Sequence, residues 1–361
     1  MENELARLIL DYSRPVRAGE TLVVRAEMEA WPLLRALHAE ALERGAYPLL
    51  RMNYPGQEAD FLQRAGAWLE RVPEAEKAEL EASDAEVRVI APADPFATSG
   101  VPGELLARYR KAWSGLRLPR GRRTLTMWPT RGLAAMAGMS LPAYRELVRR
   151  AFFLDRPDPA GAWRALAEAQ ARFIERLERA REVRIRTEGT DLKMRVDGRR
   201  WVNSDGRSNF PSGEVYTGPI EDSVEGEVRF DLPALAGGRW VRGVRLVFRA
   251  GEVVEASAEE GGDYLEAMLA TDEGARRVGE LGIGTNFGVD RPTGLVLLDE
   301  KIGGTVHLAL GQAYPATGGR NRSAIHWDLV VDLRKGGELL VDGEVIQRDG
   351  RFEAGWFEPP A

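Results

Sequence analysis

The secondary-structure pattern of the chain changes near Arg181, and this change limits the folds that the chain can adopt. Before Arg181, short β-branched runs such as TLVVRA (residues 21–26) alternate with longer stretches of helical period. That alternation is typical of βαβ units around a parallel sheet. After Arg181, short strand-like runs are separated by glycine-centred turns, which is typical of antiparallel sheets.

We therefore predict an α/β N-terminal domain, residues 1–181, with a mostly parallel sheet. An α+β C-terminal domain, residues 182–361, is predicted to be rich in antiparallel strands. Strands are predicted at residues 21–26, 48–53, 86–91 and 124–128, and helices at residues 31–44, 141–153, 160–181 and 263–277. In the first of these helices, the residues predicted to share the buried stripe are Leu34, Leu37, Ala41 and Leu42.

Composition excludes several classes of protein. The formal net charge of −6 argues against a nucleic-acid binder, which would carry a basic surplus. The chain has 0 cysteines, which excludes disulfides, thiolate catalysis and cysteine-ligated zinc. Neither a signal-peptide pattern nor an apolar run of about 18 residues is visible. We therefore expect a cytoplasmic protein without a membrane or nucleic-acid partner.

The polar residues with the clearest chemistry lie in DEKIGGTVHLALGQAYPATGGRNRSAIHWDLVVDL, residues 299–333. This stretch contains His307 and His326, two of the 3 histidines in the chain. Asp328 follows His326 by two positions in a strand-like run, so both side chains should project from one face. Tyr314 follows the second strand-like run, HLAL. Imidazole and carboxylate groups together are typical ligands of zinc, cobalt or manganese.

Two glutamates in glycine-rich segments add further donors. Glu214 follows the turn FPSG, and Glu280 lies within RVGELGIGTN. Glycine beside a polar residue indicates that the backbone approaches another group closely. One catalytic zinc needs about three protein ligands, so six donors fit two cations better. The six candidate ligands are Glu214, Glu280, His307, Tyr314, His326 and Asp328.

Other interpretations remain open from the residues alone. A glutamate in a glycine-rich turn is usually solvated, and a His-x-Asp pair on a strand is usually a simple hydrogen-bonded pair. Lys301 in DEKIGG is interpreted either as a turn residue or as a residue that positions substrate. The pattern by itself indicates a metal site without defining the reaction.

Four segments in order resemble the thermophilic metalloaminopeptidase family, of the aminopeptidase T and aminopeptidase S type (peptidase family M29). They are FPSGEVYTGP (210–219), RVGELGIGTN (277–286), DEKIGGTVHLALGQAYP (299–315) and NRSAIHWDLVVDL (321–333). The resemblance implies metal-binding roles for Glu214, Glu280, His307, His326 and Asp328, with Tyr314 at the same site. One departure is visible: the segment between Tyr314 and His326 is shorter than in longer members of the family.

The resemblance also implies two divalent cations, zinc or cobalt, with manganese or magnesium as alternatives. It implies a homodimer whose active sites face an enclosed cavity, and removal of single residues from peptides with a free N-terminus. We predict co-catalytic hydrolysis with Glu280, Glu214 and Tyr314 as catalytic residues. Glu280 is preferred over Glu214 as general base, and Tyr314 is either a ligand or an oxyanion donor.

Two other functions are kept as alternatives. The first is a metal-dependent hydrolase of a non-peptide amide or ester. The second is a non-catalytic metal-binding protein, although structural zinc sites usually contain cysteine ligands and this chain has 0 cysteines. Activity on aminoacyl-anilides or unblocked peptides distinguishes the aminopeptidase from both.

Overall fold

The computed structural model describes residues 1–114 and 122–360, and the chain forms two compact units. The first unit consists of Met1–Trp163 and Gly206–Pro211, and the second of Arg164–Asp205 and Ser212–Ala361. The division into domains at residue 181 stays a prediction. Among the described residues, no helix has both the length and the apolar character that a membrane span requires.

A four-stranded parallel sheet is the centre of the first unit, as the strand–helix alternation predicts. Its strands, in the spatial order β2-β1-β3-β4, are β1 (Thr21–Glu27), β2 (Tyr47–Asn53), β3 (Ala85–Ile90) and β4 (Arg123–Met127). The helices of this part of the chain are α1 (Glu2–Leu8), α2 (Trp31–Glu43), α3 (Gln57–Arg64), α4 (Glu74–Ala82), α5 (Gly103–Ser114), α6 (Arg131–Met136) and α7 (Leu141–Ala151). Helix α8 (Pro159–Leu177) follows them.

Burial in the first unit follows the two periodicities of the sequence. Leu22 and Val23 of β1, whose side chains point to opposite faces, are both fully buried, because a parallel strand covered on both faces is apolar along its length. In α2, Leu34 and Leu37 are buried as predicted. Ala41 is buried as predicted too, whereas Leu42 is exposed, so the predicted place of Leu42 on the buried stripe is wrong: it lies near the end of α2.

Among the described residues, the second unit contains three antiparallel sheets, which confirms the prediction that this half is rich in antiparallel strands. The eight-stranded sheet has the order β13-β12-β9-β6-β5-β17-β18-β19, and the five-stranded sheet has the order β16-β15-β14-β8-β7. Strands β10 and β11 form a separate pair. The strands are β5 (Glu182–Thr187), β6 (Thr190–Arg195), β7 (Val202–Ser204), β8 (Glu214–Thr217), β9 (Glu225–Arg229), β10 (Ala234–Ala236), β11 (Arg239–Val241), β12 (Arg245–Arg249), β13 (Glu252–Ser257), β14 (Val278–Gly284), β15 (Thr305–Gly311), β16 (His326–Asp332), β17 (Glu338–Val341), β18 (Glu344–Arg348) and β19 (Arg351–Phe352).

One helix of the second unit is shorter than predicted. The helix expected at residues 263–277 is α9 (Gly262–Leu269), and a separate 3₁₀ turn (Glu273–Arg276) follows it. Asp272 begins that turn: its Oδ1 accepts a hydrogen bond from the backbone N–H of Ala275 at 2.9 Å. Its Oδ2 accepts one from the N–H of Ala324 at 2.7 Å, which fixes the turn to a distant segment. The bond between Asp272 and Ala324 joins distant segments, so it explains why α9 ends early although the local apolar periodicity predicts a longer helix. A last short helix, α10 (Val296–Asp299), precedes β15.

Candidate metal centre

One face of the five-stranded sheet carries the predicted site residues. Residues directly opposite each other in antiparallel strands project from the same face, so the register shows which side chains meet. In that register Glu214 lies opposite Gly284, and Gly311 lies opposite His326. Gly282 lies between Tyr216 and His307 on the two neighbouring strands. In the same way, Ala309 lies between Glu280 and Asp328. The sheet therefore alternates large polar residues with small ones on this face.

Gly282 makes room for the imidazole of His307. A Cβ atom at Gly282 would lie 2.0 Å from Cε1 and 2.2 Å from Nε2 of His307, far inside van der Waals contact. The glycines around Glu280 thus have the role that the sequence indicated, a close approach of another group to the backbone. The group that approaches is the neighbouring strand's histidine.

Five of the six predicted ligands lie within a few ångströms of one another. Nε2 of His307 is 3.3 Å from Oε1 of Glu280, 3.4 Å from Oε2 of Glu214 and 4.0 Å from Oδ1 of Asp328. Nε2 of His326 is 3.5 Å from Oε2 of Glu280 and 3.6 Å from Oδ1 of Asp328. Residues separated by more than a hundred positions in sequence therefore form a single cluster.

The donor atoms of this cluster are buried and incompletely satisfied. His307 is fully buried, and Glu214 and Glu280 are 3% and 4% exposed. Among the described residues, Oε2 of Glu214, Oε2 of Glu280, Nδ1 of His307 and Oδ1 of Asp328 are buried and have no hydrogen-bond partner. Buried polar atoms of this kind are normally paired, and buried carboxylates commonly coordinate metals. The nitrogen and oxygen set thus fits divalent cations.

The electrostatics of the cluster favour positive charge. Burial opposes protonation of His307, but the hydrogen bond to Glu280 and the charges of Glu214 and Asp328 outweigh it and raise the pKa of His307 to about 9. Burial also raises the pKa of Glu280 to about 7, and the neighbouring carboxylates act in the same direction. A pocket that holds a proton this strongly on an imidazole is strongly negative, and the same potential attracts a cation.

Two further contacts orient the donors. Nδ1 of His326 lies 2.8 Å from the carbonyl oxygen of Gln312; donation to it directs Nε2 towards Glu280. Gln170 of α8 donates through Nε2 to the carbonyl oxygen of Glu214 at 2.6 Å, which fixes the backbone of β8 at that position. Gln170 is one of many polar residues of the helix predicted at residues 160–181, so the sequence did not distinguish it.

The family of the chain follows from comparison with known proteins. The family model for thermophilic metalloproteases (M29) matches residues 2–352, nearly the whole chain. The chain belongs to the M29 family. Aminopeptidase T of Thermus thermophilus is 30% identical over 409 aligned residues, which cover 99% of this chain and 96% of the relative. Aminopeptidase 2 of Geobacillus stearothermophilus is 27% identical over 404 aligned residues, which cover 97% of this chain and 95% of the relative.

A solved structure of an M29 relative shares the fold. Wild-type AmpT from Thermus thermophilus aligns with a TM-score of 0.83 at 25% identity, covering 97% of this chain and 98% of that one. The family named from the four sequence motifs is thereby confirmed, and so is the predicted fold class. The chain is a metal-dependent peptidase whose relatives are aminopeptidases.

Tyr314 lies at the edge of the cluster formed by the five other predicted ligands, which is called the M29 cluster below. Its ring centroid is 5.0 Å from the imidazole of His326 and 5.5 Å from the ring of Tyr216. Its side chain is 43% exposed, so it can meet a bound molecule. Burial of part of the phenol, with the charges of Glu280 and Asp328, raises the pKa of Tyr314, which keeps the hydroxyl protonated.

Lys301 and Glu300 also lie at the cluster, and Glu300 was not predicted from the sequence. Lys301 lies in a turn, as one of its two interpretations predicts, but it is buried there, with 1% exposed. Its Nζ lies 2.5 Å from Oε1 of Glu214 and 2.5 Å from Oε1 of Glu300. Burial alone would lower the pKa of Lys301, but these two carboxylates reverse the effect and raise it. Glu300 also offers a ligand atom within 4.8 Å of those of His307 and Asp328.

A signal for both residues was present in the sequence. Asp299, Glu300 and Lys301 form a charged triplet between two apolar runs, LVLL and the strand TVHLAL. A charged triplet in such a position is either a solvated turn or a buried, mutually satisfied group. The structure shows the second arrangement, with all three residues less than 9% exposed.

Proposed function

We propose that this metal-dependent aminopeptidase hydrolyses the N-terminal peptide bond of peptides with the help of two divalent cations. Both cations are expected to be zinc or cobalt, with manganese or magnesium as alternatives. The residues that would hold the cations are Glu214, Glu280, His307, His326 and Asp328, and Tyr314 lies at the same site. The proposal depends most on the buried, unsatisfied donor atoms of this cluster.

The position of Glu280 supports two cations rather than one. Its Oε1 lies 3.3 Å from Nε2 of His307, and its Oε2 lies 3.5 Å from Nε2 of His326. Each imidazole faces a different oxygen of Glu280 and would hold its own cation. Glu280 would need only one oxygen to bind a cation, which leaves the other free to accept a proton. Asp328 likewise lies near both histidines, which gives each position a nitrogen and shared oxygen donors.

Charge balance agrees with this count. Glu214, Glu280, Glu300 and Asp328 bring four negative charges, and Lys301 returns one positive charge, which leaves three negative charges. Two divalent cations bring four positive charges, so one further anion makes the site neutral. Hydroxide derived from the attacking water meets this requirement.

Bound divalent cations supply Lewis acidity, which polarises the scissile carbonyl and acidifies water. The protein's own part is to move protons and to hold the substrate in place. We assign to Glu280 the acceptance of the water proton and its delivery to the leaving amine. Among the described residues the carboxylate of Glu280 faces only histidines and has no lysine or arginine partner, so it is free to take a proton from water and to return it.

Glu214 is less suited to proton transfer than Glu280. Its Oε1 already accepts from the Lys301 ammonium at 2.5 Å, which leaves a single oxygen for the site. Both oxygens of Glu280 face the histidines instead. We therefore assign Glu214 to cation binding.

Tyr314 is assigned the role of a donor to the developing oxyanion. A phenol that stays protonated can donate a hydrogen bond to negative charge that builds up in the transition state. Two observations support this role: Tyr314 is 43% exposed, and its ring lies 5.0 Å from the imidazole of His326 at an interplanar angle of 59°. A peptide carbonyl would enter the site beside Tyr314.

We further propose that the enzyme is a cytoplasmic homodimer without nucleic-acid or membrane partners. The absence of cysteine is consistent with a reducing compartment, and the resemblance to aminopeptidases T and S implies the dimer. Sedimentation equilibrium at micromolar concentration tests the dimer, and a mass of 40.0 kDa, that of one chain, would rule it out.

Removal of metal is the first test of the function. We expect chelation followed by dialysis to abolish the release of N-terminal residues from unblocked peptides, and Zn²⁺ or Co²⁺ to restore it. Peptides with an acetylated N-terminus serve as the matched control and should not be cleaved. Full activity in the chelated protein, or equal cleavage of the acetylated peptides, would disprove the proposed function.

A further inference from the structure

Lys301 is buried in the second unit beside the proposed cation site. A positive charge is unexpected there because it would repel the cations. Lys301 is 1% exposed, and its ammonium contacts Oε1 of Glu214 and Oε1 of Glu300, each at 2.5 Å. Burial of an ammonium is strongly unfavourable unless it is paired and hydrogen-bonded. A lysine that only filled space here would be replaced at lower free energy by an apolar residue, so the two contacts call for an explanation.

The backbone around Lys301 is held by bonds that do not involve the site. The N–H of Lys301 donates to the carbonyl oxygen of Leu298 at 3.1 Å, and its own carbonyl oxygen accepts from the N–H of Asn286 at 3.0 Å. Asp299 accepts three hydrogen bonds, from N–H and Oγ1 of Thr293 at 2.7 and 2.8 Å and from the N–H of Gly294 at 2.8 Å. The ammonium is therefore presented from a fixed support.

The contact between Lys301 and Glu214 gives the two oxygens of the glutamate carboxylate different partners. Oε1 accepts from Lys301, whereas Oε2 lies 3.4 Å from Nε2 of His307 and has no hydrogen-bond partner among the described residues. With Oε1 occupied, the carboxylate can offer only Oε2 towards the histidine. The same ammonium occupies Oε1 of Glu300, a residue that also has a ligand atom near His307 and Asp328.

We propose that Lys301 is a positioning residue of the cation site, which holds Glu214 and Glu300 so that each presents one oxygen, not two, to the cations. This inference rests on the proposed function because it needs a cation at the cluster. Restricting two carboxylates to one oxygen each leaves coordination positions open for water and for the substrate carbonyl, which a catalytic site requires. Hydrogen-bond partners of ligands typically change metal affinity or activity by about 10- to 100-fold when removed.

The sign of one change distinguishes positioning from simple charge. Lys301→Met removes a positive charge next to the cations, and by electrostatics alone it would strengthen their binding. Loss of the fixed carboxylate geometry would weaken binding instead. We expect Zn²⁺ affinity, measured by competition with a chromogenic chelator, to fall about 10- to 100-fold. We also expect kcat to fall more than tenfold, while KM stays within about threefold of the parent value.

A charge-matched double variant sharpens the test. Glu300→Gln with Lys301→Met has the same net charge as the parent but lacks the ammonium that holds Glu214. Positioning predicts that the double variant stays impaired in Zn²⁺ affinity and kcat. Recovery to within about threefold of the parent would overturn the proposal, because charge balance alone would then explain the single variant.

Further measurements separate positioning from folding. Lys335→Met, at an exposed turn of the same unit, is the matched control and should leave Zn²⁺ affinity and kcat unchanged. If Lys301→Met does not fold, Lys301→Gln is used instead: its side chain is uncharged and one atom shorter, so it cannot hold both carboxylates, and we expect the same loss of affinity. Unchanged or tighter Zn²⁺ binding with only a lower Tm of the metal-free protein would overturn the proposal. The visible absorption of Co²⁺ bound to the variant gives a second readout, and a spectrum identical to that of the parent would also contradict it.

The parent protein keeps this test separate from that of the proposed function. If the parent binds no Zn²⁺ at the cluster, the proposed function itself fails. If the parent binds Zn²⁺ and cleaves peptides but Lys301→Met behaves like the parent, only the role of Lys301 is wrong.

Discussion

Replacing Glu280 by Gln is expected to lower kcat by about 10²- to 10⁴-fold at saturating Zn²⁺, the range typical of a general acid–base residue. Glutamine keeps the shape of the side chain and one oxygen donor, but it cannot accept a proton from water and return it to the leaving amine. The measurement is steady-state hydrolysis of an unblocked dipeptide, with bound zinc quantified in the same samples by mass spectrometry.

Glu214→Gln is the matched comparison, since both glutamates lie less than 5% exposed in the same cluster. As a ligand tied to Lys301, Glu214 should affect Zn²⁺ affinity first, so that much of the lost activity returns when Zn²⁺ is raised. Glu280→Gln should not recover in this way. If it raises KM a few-fold and leaves kcat near the parent value, Glu280 is not the general base.

Gly282→Ala is expected to displace the imidazole of His307, because the new Cβ would lie 2.0 Å from its Cε1. The atoms in conflict belong to the end of a side chain, so the histidine turns away and the strand pairing survives. We expect the free energy of unfolding of the metal-free protein to fall by about 1–3 kcal/mol, the usual range for overpacking. Zn²⁺ affinity should fall at least tenfold, since a ligand leaves the cluster.

Gly262→Ala is the control for Gly282→Ala. Its Cβ would meet no atom within 4 Å, and Gly262 is the first residue of α9 with ordinary helical geometry. This change should leave Zn²⁺ affinity unaltered and raise stability slightly, by about 0.4–1 kcal/mol. Equal Zn²⁺ affinity in both alanine variants would show that Gly282 is not what accommodates His307.

Local spacing accounts for the parts of the site that could be predicted from the sequence. His326 and Asp328 are two positions apart on a strand, so period two alone places them on one face. The parallel sheet of the first unit follows from strand–helix alternation in the same way, and β1 and β2 lie within one or two residues of their predicted bounds.

Contacts between distant segments account for what could not be predicted. Glu214 and Glu280 meet because β8 pairs with β14 in one register, and a shift of one residue would turn the ligands to the opposite face. No local pattern encodes that register. The end of α9 depends on the bond from Asp272 to Ala324, and the burial of Lys301 depends on two carboxylates from different elements.

The anomalous-difference map of a crystal of the zinc-loaded protein, collected at the zinc absorption edge, tests the central claim most directly. Two peaks about 3.5–4 Å apart are expected, one near Nε2 of His307 and one near Nε2 of His326. A single peak, or peaks remote from these two histidines, would contradict the assignment of a two-cation centre to this face of the sheet.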